Sequence, residues 1–307
     1  MTTINNLFQV SIIQDSKVTE CGGICCFADD NNTDTLSTKL SEKYNVMAEY
    51  MVSNELKLND DKTHVLIMTT SQKRRKRPVY CQITTPTEII EPSKTEKLLG
   101  IMILEDMKWA HYILHDDNSL IVQLNRRLGA LKKISKVASF KTRLMIANGT
   151  FMSKLIYMIQ LWSGCEKYLT TSLQILQNKV ARTVTNHGLE TPIKTLLQQC
   201  GWLSVNQLSC YHTLILQHKI IHTKSPTYLY EKLSLDYPYR TRISDNRLVR
   251  MGPQSKNELE LTNKSFRWRA VSQWNKLPLN IRKIEETGLF KQKLRAWVTN
   301  NVPIQAT

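Results

Sequence analysis

The apolar run Ile24-Cys25-Cys26-Phe27 is followed at once by Ala28-Asp29-Asp30 and the polar segment Asn31-Asn32-Thr33-Asp34. A strand that ends in two adjacent carboxylates and then reverses places both at the tip of a hairpin. Such a tip suits a hard cation such as magnesium, which prefers carboxylate and phosphate oxygens. Two such ions can stabilise both the attacking and the leaving oxygen of a phosphoryl transfer. Asp-Asp before Asn is also ordinary turn chemistry. By itself the pair leaves a metal site and a solvated turn both open.

The order of the downstream segments narrows the choice. Asn54-Glu55-Leu56-Lys57-Leu58-Asn59-Asp60-Asp61-Lys62-Thr63 precedes a strand-like Val65-Leu66-Ile67-Met68. Lys97-Leu98-Leu99-Gly100-Ile101 follows, and then Trp109 and His111. This succession resembles the second half of the reverse transcriptase palm of non-LTR (LINE-type) retrotransposons. There a Tyr/Phe-Ala-Asp-Asp hairpin, a helix, an Asn-x-Leu-x-Leu-Asn-x-x-Lys-Thr segment and a Leu-Gly hairpin occur in the same order. Leu161-Trp162 and Leu176-Gln177-Asn178-Lys179-Val180-Ala181-Arg182 resemble that family's thumb helices. Pro226-Thr227-Tyr228-Leu229, Phe266-Arg267-Trp268-Arg269-Ala270, Trp274-Asn275-Lys276-Leu277-Pro278 and Phe290-Lys291 resemble its C-terminal tail.

The resemblance implies RNA-directed DNA polymerisation. It makes Asp29 and Asp30 the catalytic magnesium ligands and puts Lys62 near the departing pyrophosphate. There Lys62 would donate a proton or stabilise charge; a solvated lysine is the other reading. Gly100 would permit the close backbone approach of a primer grip, or simply a tight strand turn. Asn6–Asp15 resembles the helix that leads into the catalytic hairpin. The family's fingers, the strand bearing its first aspartate and its Gln-Gly-Ser loop have no counterpart in these 307 residues. The expectation is therefore the C-terminal part of a polymerase, with an incomplete two-metal site. The rival is a non-catalytic, basic nucleic-acid-binding protein derived from a retroelement.

Charge supports a polyanionic partner. Forty-two Lys and Arg stand against 26 Asp and Glu, a net charge of +16. Residues 1–70 carry 5 basic and 10 acidic side chains, whereas residues 71–307 carry 37 and 16. An acidic metal-holding part before a basic part suits a palm followed by a thumb that grips a duplex. Seven cysteines without a regular framework argue against a secreted disulfide scaffold. No run reaches the ~18 apolar residues of a membrane span, and no signal peptide is indicated. A nuclear or cytoplasmic location is expected.

The apolar spacing of Leu36, Leu40, Tyr44, Met47 and Met51 predicts a helix capped by Asp34 or Thr35. Strands are expected at 18–27, 64–69, 79–90 and 98–103. Lys73-Arg74-Arg75-Lys76-Arg77-Pro78 would then be an exposed hairpin tip, meeting template or primer phosphates, directing nuclear import, or merely solvated. From about residue 114 the pattern is helical. Asp116, Asp117 and Asn118 offer caps ahead of Leu120, Leu124, Leu128 and Leu131, with Arg126, Arg127, Lys132, Lys133 and Lys136 on the other face. A second helix would carry Leu144, Ala147, Phe151, Leu155, Met158 and Trp162, and a third Leu169, Leu173, Leu176 and Val180 with Lys179 and Arg182 outward.

Cys200, Cys210, His212, His218 and His222 lack a Cys-x-x-Cys pair, so zinc is not expected. Phe266, Trp268, Trp274, Phe290 and Trp297 interleave with bases, and either stack on unpaired nucleotides or anchor the last helices to the core.

The expected fold is α+β. A partial palm with an antiparallel sheet covers residues 1–113, a helical thumb 114–200 and a helical C-terminal region 201–307. The expected partners are an RNA template and a DNA primer or duplex, with deoxynucleotides in the intact enzyme and no membrane. On a primed RNA template with magnesium and deoxynucleotides, the purified 307-residue chain should extend no primer. Extension above background that disappears in Asp29→Ala would show that another carboxylate completes the metal site.

Overall fold

A computed structural model describes residues 33–55, 64–68, 82–84, 89–231, 248 and 264–304. The chain divides into two compact units, Met1–Tyr112 and Ile113–Thr307. Helices dominate and the strands are short, which makes this an α+β protein. The boundary expected at residue 200 falls inside the second unit.

In the first unit, helix α1 (Thr33–Ser53) buries Tyr44 and Met51. It packs on strand β2 (Ile83–Thr84). The Gln82 and Thr84 N–H groups donate to Ser37 Oγ (3.3 Å) and Ser41 Oγ (3.1 Å), so helix hydroxyls serve part of the strand's edge. β2 pairs antiparallel with β3 (Ile89–Ile90). β1 (Val65–Leu66) pairs in parallel with β4 (Pro92–Ser93). The sequence leads one to expect an antiparallel sheet. Among the described strands the β2–β3 pairing is antiparallel and the β1–β4 pairing parallel, and the strands form three separate two-stranded pieces. Pro92 brings no N–H to its ladder, which favours so short a pairing.

The strand expected at 98–103 is the turn and second arm of a hairpin. β5 (Thr95–Leu98) pairs with β6 (Ile101–Leu104), and Leu99-Gly100 closes it. Both turn residues have positive φ, +48° and +80°, the geometry that matches the twist of antiparallel strands.

The second unit is held by amphipathic helices. α2 (Leu120–Ser135) buries Leu120, Leu124, Leu128 and Leu131 as their spacing predicts. Its N-cap is Ser119, not one of the three preceding polar residues. Asp116 instead accepts the Asn118 N–H in a local turn. The single helix expected through Trp162 is interrupted. α3 (Phe140–Ala147) widens into a π-helical turn at Asn148–Met152, resumes as α4 (Ser153–Ile156), and stops at Met158. Met158 has φ +50°, and the short α5 (Ile159–Trp162) follows it. The break lets Ile159 and Trp162 reach the core, with Trp162 Nε1 donating to Tyr157 O at 3.0 Å.

α6 (Lys167–Thr185) packs against α2 and α3, and also against α7 (Ile193–Gln199) and α8 (Val205–Thr223). Three buried amides, Gln174, Gln177 and Gln207, link α6 to the start of α8 and to the chain near Val302. After α9 (Thr227–Glu231) come α10 (Phe266–Trp274), α11 (Leu279–Arg282) and α12 (Thr287–Asn301). α10 and α12 both pack on α8.

α10 is tied to the bundle by Arg269. Its guanidinium donates to Lys264 O (3.2 Å), Ser163 Oγ (2.7 Å) and Gln160 O (2.6 Å). Burial lowers its pKa to about 10, so it keeps its charge at neutral pH. Gly164 makes this approach possible, because a Cβ there would overlap the Lys264 carbonyl. Gly164→Ala should therefore destabilise the chain by about 1–3 kcal/mol in denaturant unfolding. Gly129, exposed on α2 with open space at its Cβ position, is the control. Gly129→Ala should stabilise by roughly 0.5–1 kcal/mol.

Candidate nucleic-acid interface

The catalytic residues expected from the sequence, Asp29, Asp30 and Lys62, lie outside the described residues, as does the basic run Lys73 to Arg77. Gly100 is described. Its φ of +80° demands glycine, yet a Cβ there would meet nothing within 4 Å. The geometry at this position is that of a tight strand turn.

The basic residues of α2 separate by direction. Arg126 and Lys133 lie seven residues apart and are exposed opposite the buried leucines. Lys132 is exposed on one flank, and Arg127 is half-buried on the other. Lys136 and Lys141, beyond the end of α2, are also exposed. Residues 118–165 contain no Asp or Glu at all. Across residues 118–230, Lys and Arg outnumber acids by fourteen to two, and the two are Glu166 and Glu190. Glu166 forms an ion pair with Lys264 at 3.1 Å. Glu190 accepts from the Gly188 N–H at 3.1 Å, and backbone hydrogen bonding holds its carboxyl below the usual range. This run of sequence free of carboxylates concentrates the basic surplus, which counting charge only over residues 71–307 dilutes.

Not every base faces outward. Arg143 Nε donates to Val184 O at 2.8 Å, and its Nη1 donates to Ser135 O (3.1 Å) and Ala138 O (2.9 Å). One guanidinium thus serves the carbonyl ends of α2 and α6, where peptide dipoles concentrate negative charge. Arg182, expected to point outward, donates instead to the carbonyls of Gly188 and Thr191. It remains only partly exposed. The reason is local: Asn186 takes a left-handed conformation (φ +58°) that folds the following loop back on the helix end. Between the ends of α2 and α6 lies an open groove of about 430 Å³, lined by Lys132, Ser135, Arg182, Thr183, Asn186, His187 and Gly188.

Of the tail aromatics, Trp274 and Phe290 are buried and belong to the core. Phe266, Trp268 and Trp297 are half-buried. His218 stacks on Phe290 (ring centroids 4.0 Å apart), and its Nε2 lies 2.8 Å from Ile284 O. Burial pushes the His218 pKa down, with His222 beside it acting in the same direction. Burial raises the thiols of Cys165 and Cys210 to about 12 and that of Cys200 to about 11. Among the described residues no group of three or more His, Cys, Asp or Glu is arranged to hold a metal ion. No described helix is long and apolar enough to cross a membrane.

No family model, no curated protein and no solved structure matches this chain.

The inward and outward bases should respond differently to substitution. Arg143→Leu leaves three carbonyls without their donor and should cost at least about 2 kcal/mol in denaturant unfolding. Lys133→Gln, exposed away from the core, should change stability by no more than about 0.5 kcal/mol.

Proposed function

We propose that this chain belongs to the reverse transcriptase lineage of non-LTR retroelements and that residues 113–307 bind a nucleic-acid duplex through its phosphates. The observation that carries the binding reading is the stretch 118–230, with fourteen bases and two acids, both of which are engaged by neighbouring groups. Such a surface has no internal counter-charge for Arg126, Lys133, Lys136 and Lys141 in their own part of the sequence. A duplex supplies one negative charge per ~1.7 Å of its axis. The helices give these bases rigid positions, because each sits on or beside an element whose other face is a buried apolar stripe.

The lineage rests on the ordered motifs of the sequence. The magnesium-binding roles of Asp29 and Asp30, the role of Lys62 and the use of deoxynucleotides rest on that resemblance alone. In this reading the helical unit acts as the thumb and C-terminal region of the polymerase, holding template and primer. A retroelement-derived binding protein without catalysis would present the same surface. Neither reading expects magnesium-dependent primer extension from these 307 residues, and the two part on whether in-frame coding sequence upstream of Met1 supplies the aspartate-bearing strand and the Gln-Gly-Ser loop.

Binding of a fluorescent RNA–DNA hybrid should weaken by orders of magnitude between about 50 and 200 mM salt if six or more phosphates are engaged. A variant with Lys132, Lys133, Lys136 and Lys141 all changed to Gln should bind every sequence more weakly alike. Its salt slope should be shallower by about one for each phosphate that the variant no longer neutralises. Affinity that stays flat over that salt range would mean that the charge only keeps the chain soluble.

A further inference from the structure

The turn between α2 and α3 exposes apolar side chains that a phosphate clamp does not need. Val137 is 88% exposed, and Ile134 and Phe140, three residues to either side, are 39% and 42% exposed. Leu189 is 85% exposed and follows Gly188, which lines the groove. The turn is not loose. The Val137 and Ala138 N–H groups both donate to Ile134 O, at 3.1 and 3.0 Å. Ser139 Oγ caps α3 by accepting the Thr142 N–H. Arg143 binds the carbonyls on both sides of Val137 and ties them to Val184 on α6. The exposure of Val137 is therefore built into a fixed backbone.

Charge narrows what this surface fits. Lys132, Lys133, Lys136 and Lys141 surround the turn, and no carboxylate occurs between residues 118 and 165. Two helix C-termini meet at the groove and would by themselves repel an anion. Arg143 occupies carbonyls at both ends, and Lys132 and Arg182 line the groove between them. Glu190, the nearest acid in sequence to the groove, accepts the N–H of the groove-lining Gly188, and the charge of Arg182 acts on its carboxylate there. An apolar tip ringed by bases complements a ligand with both phosphates and an uncovered base face. The bases of a continuous duplex are stacked and hidden, whereas an unpaired nucleotide offers its face to apolar groups.

We propose that the α2–α3 turn and the adjoining groove form a site for an unpaired nucleotide where a duplex ends or passes into single strand. Lys132, Thr183 and His187 hold the sugar-phosphate in the groove, while Val137 and Leu189 pack against the base. This rests on the duplex-binding reading and adds a preference for junctions.

The test uses the full chain, a blunt RNA–DNA hybrid, and the same hybrid with a single-stranded extension. The extended hybrid should bind about fivefold more tightly, the gain from removing roughly 40 Å² of apolar surface from water when a base face packs on two aliphatic side chains. Val137→Ser and Leu189→Ser, each checked for an unchanged thermal melt, should remove that preference and leave blunt-hybrid affinity intact. Equal affinity for the two hybrids, or a preference that survives both substitutions, overturns the junction site while duplex binding stands. Failure to bind either hybrid overturns the duplex reading as well. An acidic amphipathic peptide that binds the native chain but not Val137→Ser, without any junction preference, assigns the turn to a protein partner and overturns the proposal.

Discussion

The second unit depends on three buried glutamines. Gln174 Oε1 accepts the Val205 N–H at 2.8 Å, and its Nε2 donates to Gln177 Oε1 and Asn178 Oδ1. Gln177 Nε2 donates to Leu203 O at 2.8 Å. Gln207 Oε1 accepts the Ser204 N–H in a capping box, and its Nε2 donates to Val302 O. A buried amide left unpaired costs about 1–3 kcal/mol. Sliding α8 along α6 would orphan several of these groups together. Leucine packing alone tolerates such slippage, and a satisfied polar network does not. The register of the bundle, and so the direction in which each surface lysine points, follows from these hydrogen bonds.

A second consequence is a division of labour between the two kinds of base. Arg143, Arg182, Arg269 and Arg282 turn their guanidinium groups to backbone carbonyls. The planar fork of Arg can serve several such acceptors at fixed angles. The lysines of α2 and of its C-terminal turn remain outside. Formal charge therefore overstates the charge carried at the surface, and the density of exposed bases, Arg126 included, is the better measure.

The helical core was legible in the sequence because its signal is periodic. Leu120, Leu124, Leu128 and Leu131 are all buried, as are Leu169, Leu173, Leu176 and Val180. Periodicity does not report where a helix is interrupted. The π-helical turn at Asn148–Met152 and the left-handed Met158 lie within an unbroken apolar repeat. Nor does it tell an inward glutamine from an outward one, since Gln174 and Gln177 look like surface residues until α8 is placed beside them. The hairpin at Leu99-Gly100 was half legible. Glycine marked the turn, but the first strand, Thr95-Glu96-Lys97-Leu98, is too polar to stand out. Of the candidate interface, charge was readable in bulk. The inward use of Arg182 was not, because it depends on a loop that returns only after Asn186 turns left-handed.

The raised thiol pKa values have a practical meaning. Alkylating reagents and oxidants attack the thiolate, which Cys165, Cys200 and Cys210 scarcely form at neutral pH while their surroundings stay closed. Each sits at a different joint: Cys165 beside the Gly164–Arg269 contact, Cys200 at the end of α7, and Cys210 within α8. The half-buried Cys165 is held back chiefly by its raised pKa. Cys200 and Cys210, which are buried, thus serve as native clocks that start only when their own parts of the bundle breathe.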